Sequence, residues 1–294
     1  MMNIQYVIEK LDAYERLMRL DKPIGILLLL WPTLCALLIA GHGKPSWVIV
    51  LVFVTGTVLM RSAGCVMNDI ADCQYDGLVE RTQYRPLASG EVSKKEAYIL
   101  AAILSLVAFG LVLFLNSLTI KLSVLALFLA VTYPLTKRFL AIPQAYLGIA
   151  FGFGIPMAFA AITGFVPSIA WVLLLANVFW AVAYDTEYAM VDREDDLKIG
   201  IKSSAITFGR YDVAAVMICY ASTLLLLVLA GNWLALGIFY NVGLLAATGV
   251  ATSHYFLISK REKCKCFKAF LGNNWFGFAI FSGVFAHYLS LNWL

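Results

Sequence analysis

Apolar residues gather in nine long runs, at roughly 23–40, 46–66, 97–115, 119–135, 143–162, 168–184, 211–230, 233–257 and 270–291. None alternates strictly between apolar and polar positions, so the runs predict helices rather than barrel strands. About 20 apolar residues cross a bilayer as a helix. A helix also satisfies its own backbone N–H and C=O groups, as the hydrocarbon demands. Asn116-Ser117 and Gly231-Asn232 mark the shortest turns. Gly148, Gly152, Gly154 and Pro156 interrupt the fifth run and are read as close-packing positions before a bend.

Ahead of the runs, Tyr6, Ile8, Leu11, Tyr14, Leu17 and Met18 are set at helical spacing among charges. That pattern predicts an amphipathic helix within 1–22, lying on the membrane surface, followed by a polytopic unit over 23–294. Its acids, Glu9, Asp12 and Glu15, argue against a transit peptide.

Composition sharpens the picture. The chain is 62% hydrophobic and 14% charged, where a soluble domain carries roughly a quarter charged residues. The expectation is an all-α integral membrane protein of nine transmembrane helices around a central cavity, as two four-helix units plus one. Of 22 Lys and Arg, only Lys44 and Lys121 fall beside the even connections. The positive-inside rule then puts the amino terminus and the loops 66–96, 136–142, 185–210 and 258–269 in the cytoplasm and the carboxyl terminus outside. A net charge of +4 suits a bacterial inner membrane and membrane lipid, and indicates no nucleic acid. Cys264 and Cys266 share a basic loop with no second ligand pair, so zinc is not expected. The sequence is silent on oligomeric state.

Acids also crowd that same side, which orientation does not require. They form two segments about 120 residues apart, each as an apolar run ends. In the first, Asn68, Asp72 and Asp76 are four apart, with Asp69 beside them. In the second, Asp192 and Asp196 are four apart and Asp185 precedes Asp192 by seven. Residues four apart share a helix face, where like charges repel unless something positive lies between them. Two such faces at the membrane edge point to a divalent-cation cage; Mg²⁺ takes oxygen ligands and shares them with substrate phosphates. Bases accompany the acids: Arg81 and Arg85, Lys137 and Arg138, then Arg193, Lys198 and Lys202. Acids for a metal beside bases for an anion fit a metal-bound diphosphate.

These residues carry a resemblance. The chain resembles the UbiA membrane prenyltransferases, closest to the branch that acts on 4-hydroxybenzoate in ubiquinone biosynthesis. Asn68 to Asp76 fits the family's NDxxDxxxD, and Tyr184 to Asp196 its second acidic motif. Leu20 to Gly25, Arg85 to Gly90, Gly154 to Ala160 and Asp192 to Ser203 match family wording, the last specific to that branch. Cys73 stands where some relatives carry a base.

The resemblance implies Mg²⁺-dependent transfer of a polyprenyl group from polyprenyl diphosphate to the ring of 4-hydroxybenzoate, ortho to its hydroxyl. It implies that Asn68, Asp72 and Asp76 hold one ion, and Asp192 and Asp196 a second, with Asp69 and Asp185 in supporting contact. Arg81, Arg85, Lys137 and Arg138 are then candidates to assist at the diphosphate. Tyr133, Tyr184 and Tyr188 could shield an allylic cation, and Arg19, Arg61 or Arg138 could take the acceptor's carboxylate. Another aromatic or quinone-precursor acceptor would use the same acids. A cation-coupled transporter is the rival of a different class, but its charges should lie at the bilayer midplane.

Overall fold

The computed structural model describes residues 4–77 and 82–291. Arg81 therefore lies outside the described residues. Among those described there are helices and no strand. In chain order they are α1 (Ile4–Met18), α2 (Ile24–Ala40), α3 (Trp47–Asp76), α4 (Lys94–Val112), α5 (Ser117–Thr136), α6 (Pro143–Gly152), α7 (Gly154–Thr163), α8 (Ser168–Ile199), α9 (Ser204–Phe208), α10 (Asp212–Trp233), α11 (Ile238–Ile258) and α12 (Lys263–Leu291).

Seven helical segments are long and apolar enough to cross a membrane: Trp47–Gln74, Lys94–Val112, Ser117–Thr136, Pro143–Thr163, Ser168–Lys198, Ser204–Trp233 and Lys263–Leu291. The protein is a multi-pass membrane protein. Two of the nine apolar runs fall outside this set. The first folds as α2, apolar but only 17 residues long. The eighth folds as α11, whose apolar sequence is broken by Asn241, Thr248, Thr252, Ser253 and His254.

Two helices outlast the runs that predicted them. α3 has 30 residues and α8 has 32. At 1.5 Å per residue each exceeds 40 Å, against a hydrocarbon core of about 30 Å. Both acidic segments therefore sit on helix, in the turns beyond the apolar stretch. Apolar composition stops there, but the helical hydrogen-bond ladder does not.

The fifth run bends as well as packs. It breaks at Phe153 into α6 and α7, three residues before Pro156, which lacks an N–H. Its glycines are also tight: a Cβ on Gly148 would lie 2.8 Å from Val178 Cα, and one on Gly154 2.5 Å from Thr33 Oγ1.

The core runs along α8, where Trp180, Ala181, Ala183 and Tyr184 are buried. Behind it Glu187 is fully enclosed, accepting from Tyr220 at 3.1 Å and Asn273 at 2.8 Å, with His254 Nδ1 at 3.2 Å. This polar knot joins α8 to α10, α11 and α12. A smaller cluster seats α1, whose Ala13 and Leu17 are buried with Val66, Leu87, Val92, Ala97 and Ala101. Lys10 to Glu96 and Arg16 to Glu91 pin its polar face to the first turn of α4 and the segment before it.

Candidate active site

One cavity of about 1260 Å³ opens among α2 to α8 and α12. On α3 its wall carries a stripe at four-residue steps, Gly56, Met60, Gly64, Asn68, Asp72 and Asp76, flanked by Phe53, Thr57, Arg61 and Cys65. On α8 it is Tyr184, Asp185, Tyr188, Asp192 and Asp196. Thus six of the seven oxygen-bearing residues singled out for a metal face one space. Its other end is apolar, with Phe53, Leu106, Phe109, Leu127, Phe153 and Met157.

Asp69 is the exception. One residue on from Asn68 it is turned by roughly 100°, is 1% exposed and does not line the cavity. Its Oδ1 accepts from Arg19 at 2.7 Å and Arg85 at 3.1 Å, and its Oδ2 is buried without a partner. The structure makes it the base on which two arginines rest.

The acids that do face the cavity are met by cations. Arg85 Nη1 donates to both Asp76 oxygens at 2.9 Å. Lys137 Nζ lies 3.3 Å from Asp72 Oδ2 and 3.4 Å from Asn68 Oδ1, and 5.7 Å from the Tyr133 ring centroid. Burial alone would lower the Lys137 pKa, but Tyr133, Asp72 and Asp185 outweigh it and hold the ammonium above its ordinary value. Burial pushes the Asp76 carboxyl up, and Arg85 offsets part of that. Among the described residues no three His, Cys, Asp or Glu side chains converge closely enough to form a metal cluster. The acids line facing walls and have bases among them.

Other predicted residues are placed elsewhere. Arg138 is exposed and outside the cavity lining, its Nη2 3.4 Å from the Ala71 carbonyl. Arg193 turns away to Asp212 at 3.1 Å, a buried acid also gripped by Arg261. Lys198 is mostly exposed beside Asp195. Arg19, Lys137, Tyr133 and Tyr184 line the cavity.

Three further residues complete the wall. Gln144 shares the cavity wall with Asp185 and accepts from the Ser204 N–H at 3.0 Å, tying α6 to α9. Ser203 is 4% exposed and its Oγ has no partner. Neither stands out in a sequence, because a single polar residue has no periodic signature. Arg61 does stand out, as a charge inside an apolar run, which is costly and marks function. Its Nη1 meets Cys65 Sγ at 2.8 Å, its guanidinium lies 5.4 Å from the Phe151 ring centroid, and its buried Nε has no partner.

The described residues form a helical membrane fold in which two facing acid stripes, with cations beside them, stand over an apolar cavity: an arrangement with room for a metal-bound anion and an apolar tail. Residues 29–280 match the model of the UbiA prenyltransferase family, and the chain belongs to that family. It is 66% identical over 278 residues to a 4-hydroxybenzoate octaprenyltransferase of Methylobacillus flagellatus, covering 95% of this chain and 94% of that protein. A protein of the same name from Paraburkholderia phytofirmans is 63% identical, with 95% and 97% covered. Among solved structures, the apo form of a UbiA homolog from Aeropyrum pernix K1 superposes with a TM-score of 0.77 at 26% identity, covering 92% of this chain and 98% of that one. A UbiA homolog from Archaeoglobus fulgidus bound to GPP and Mg²⁺ shares the fold, with a TM-score of 0.69 at 20% identity over 92% and 99%.

Proposed function

We propose that the protein transfers a polyprenyl group from its diphosphate to 4-hydroxybenzoate, as the names of its relatives state for them. One observation carries this beyond the resemblance. The cavity that holds the paired acids and bases also holds, deeper along α3, an arginine, Arg61, that makes no salt bridge among the described residues. That is one site for a diphosphate and one for a smaller acid, on the same wall.

The chain crosses the bilayer nine times, counting α2, α11 and the α6–α7 pair as one span each. The acids end the second and the sixth spans, so the bundle is two four-helix units plus α12, with α1 on the membrane surface over 1–22. The amino terminus and acidic face are cytoplasmic, the membrane is a bacterial inner membrane, and the carboxyl terminus is periplasmic.

The donor set fits Mg²⁺: carboxylate and amide oxygens on facing walls, with no sulfur or imidazole among them. Asn68, Asp72 and Asp76 would hold one ion and Asp192 and Asp196 another, with Asp185 beside them. Bound there, Mg²⁺ supplies neutralisation of the charge that grows on the leaving diphosphate. Lys137 and Arg85 add fixed positive charge to the same oxygens. Tyr133, Tyr184 and Tyr188 wall the allylic carbon as its C–O bond breaks, keeping water out and offering ring faces to the cation. Arg61 holds the carboxylate of the acceptor, which directs the ring carbon ortho to the hydroxyl at that cation. A C–C bond forms and the ring proton leaves. The isoprenoid tail lies along Gly64, Met60 and Gly56 towards the apolar end.

Purified protein given geranyl diphosphate, Mg²⁺ and either 4-hydroxybenzoate or phenol tests the assignment. Ring-prenylated 4-hydroxybenzoate, with phenol a poor acceptor, is expected. Equal use of phenol would remove the carboxylate site.

A further inference from the structure

The geometry points to Gly25 as a positioning residue: its missing side chain is the seat of the Arg61 guanidinium, and through Arg61 it sets where the acceptor's carboxylate is held. This rests on the role given to Arg61 above.

Gly25 is the second residue of α2, and it faces Arg61 of α3 across the cavity wall. A Cβ built on it would lie 2.4 Å from Nε, 2.5 Å from Nη2 and 2.8 Å from Cζ of Arg61. All three atoms belong to the guanidinium, which therefore rests against the glycine itself. Nothing else requires glycine here. Gly25 is not among the residues with positive φ. Alanine favours a helix more than glycine does, so the position forgoes helix propensity for space.

The contrast with other glycines is informative. A Cβ on Gly148 or Gly243 would strike neighbouring backbone, Val178 Cα at 2.8 Å and the Ala279 carbonyl at 2.7 Å. Alanine there would force helices apart. At Gly25 the three atoms a methyl would meet first all belong to the end of a flexible side chain, so Arg61 is what must move. Arg61 has little else to fix it. Among the described residues its one hydrogen bond is to a thiol, and its buried Nε is unpaired. A guanidinium buried with unused donors needs a precise seat if it is to meet a carboxylate with its planar fork.

The test uses the full chain with Gly25→Ala and Arg61→Lys, singly and together. KM is measured for 4-hydroxybenzoate and for geranyl diphosphate, alongside the melting temperature in detergent. Gly25→Ala should raise the acceptor KM roughly tenfold, the scale of a weakened charge-assisted hydrogen bond, and leave the donor KM and melting temperature unchanged. Beside Arg61→Lys, whose slimmer ammonium does not need the seat, it should add nothing. An unchanged acceptor KM in Gly25→Ala would overturn the proposal. So would an equal rise in donor KM, or an undiminished effect in the lysine background. If Arg61→Lys itself leaves the acceptor KM unchanged, the role of Arg61 fails and the proposal falls with it; an effect of Arg61→Lys without one of Gly25→Ala removes the proposal alone.

Discussion

Asp69 and Arg85 meet at 3.1 Å beneath the cavity wall, although Asn68, one residue earlier, faces the cavity. The same Arg85 nitrogen reaches both oxygens of Asp76. Asp69 thus holds a cation at the edge of the site without lining it. Asp69→Asn should weaken that hold and raise the KM for the prenyl diphosphate several-fold, the scale of one charged hydrogen bond. The Mg²⁺ concentration giving half-maximal rate should not move. A shift in that concentration would make Asp69 a ligand.

Asp72 and Asp192 face the cavity from different helices. Asp72→Ala and Asp192→Ala should each lower kcat by about 10²-fold or more, the scale of removing transition-state charge stabilisation. Thermal unfolding should be little changed, because neither side chain packs the core. Near-normal turnover in both would dismiss the two-stripe site.

Lys137 lies between Asp72, Asn68 and Tyr133. Tyr133, Asp72 and Asp185 hold its pKa above the ordinary value, which suits a fixed positive charge beside the diphosphate. Lys137→Ala should lower kcat and raise the donor KM, leaving the acceptor KM alone. A steady-state matrix of both substrates separates these effects. A change confined to the acceptor would move Lys137 to the other subsite.

Glu187 is fully buried among Tyr220, His254 and Asn273 and does not line the cavity. Glu187→Ala strips partners from three buried polar side chains at once. Each buried polar group left without a partner costs about 1–3 kcal/mol, so a large fall in melting temperature is expected. An unchanged melting temperature would show that the knot contributes nothing to stability.

How much of this was legible in the sequence follows from what repeats. The stripes were legible because spacing by four maps directly onto one helix face, and the same arithmetic separates Asn68 from Asp69. The helix ends were not, because hydropathy falls before α3 and α8 stop. Arg193 looked like a phosphate ligand by its company; its partner Asp212 lies on another helix, and only the fold brings them together. Gln144 and the reason for Gly25 depend on a neighbour distant in sequence, and Ser203 only on the cavity it faces. Glu187 sits inside the second acidic segment, but its half-turn offset from Asp185 points it into the core.

The central claim is that two acid stripes form one metal-dependent transfer site. Labelled geranyl diphosphate and 4-hydroxybenzoate, supplied to membranes carrying the protein with Mg²⁺ or with EDTA, test it most directly. Lipid-extractable label in prenylated 4-hydroxybenzoate should appear with Mg²⁺, vanish with EDTA and return when Mg²⁺ is restored. Transfer that persists in EDTA, or no transfer to any aromatic acceptor by folded protein, would contradict it.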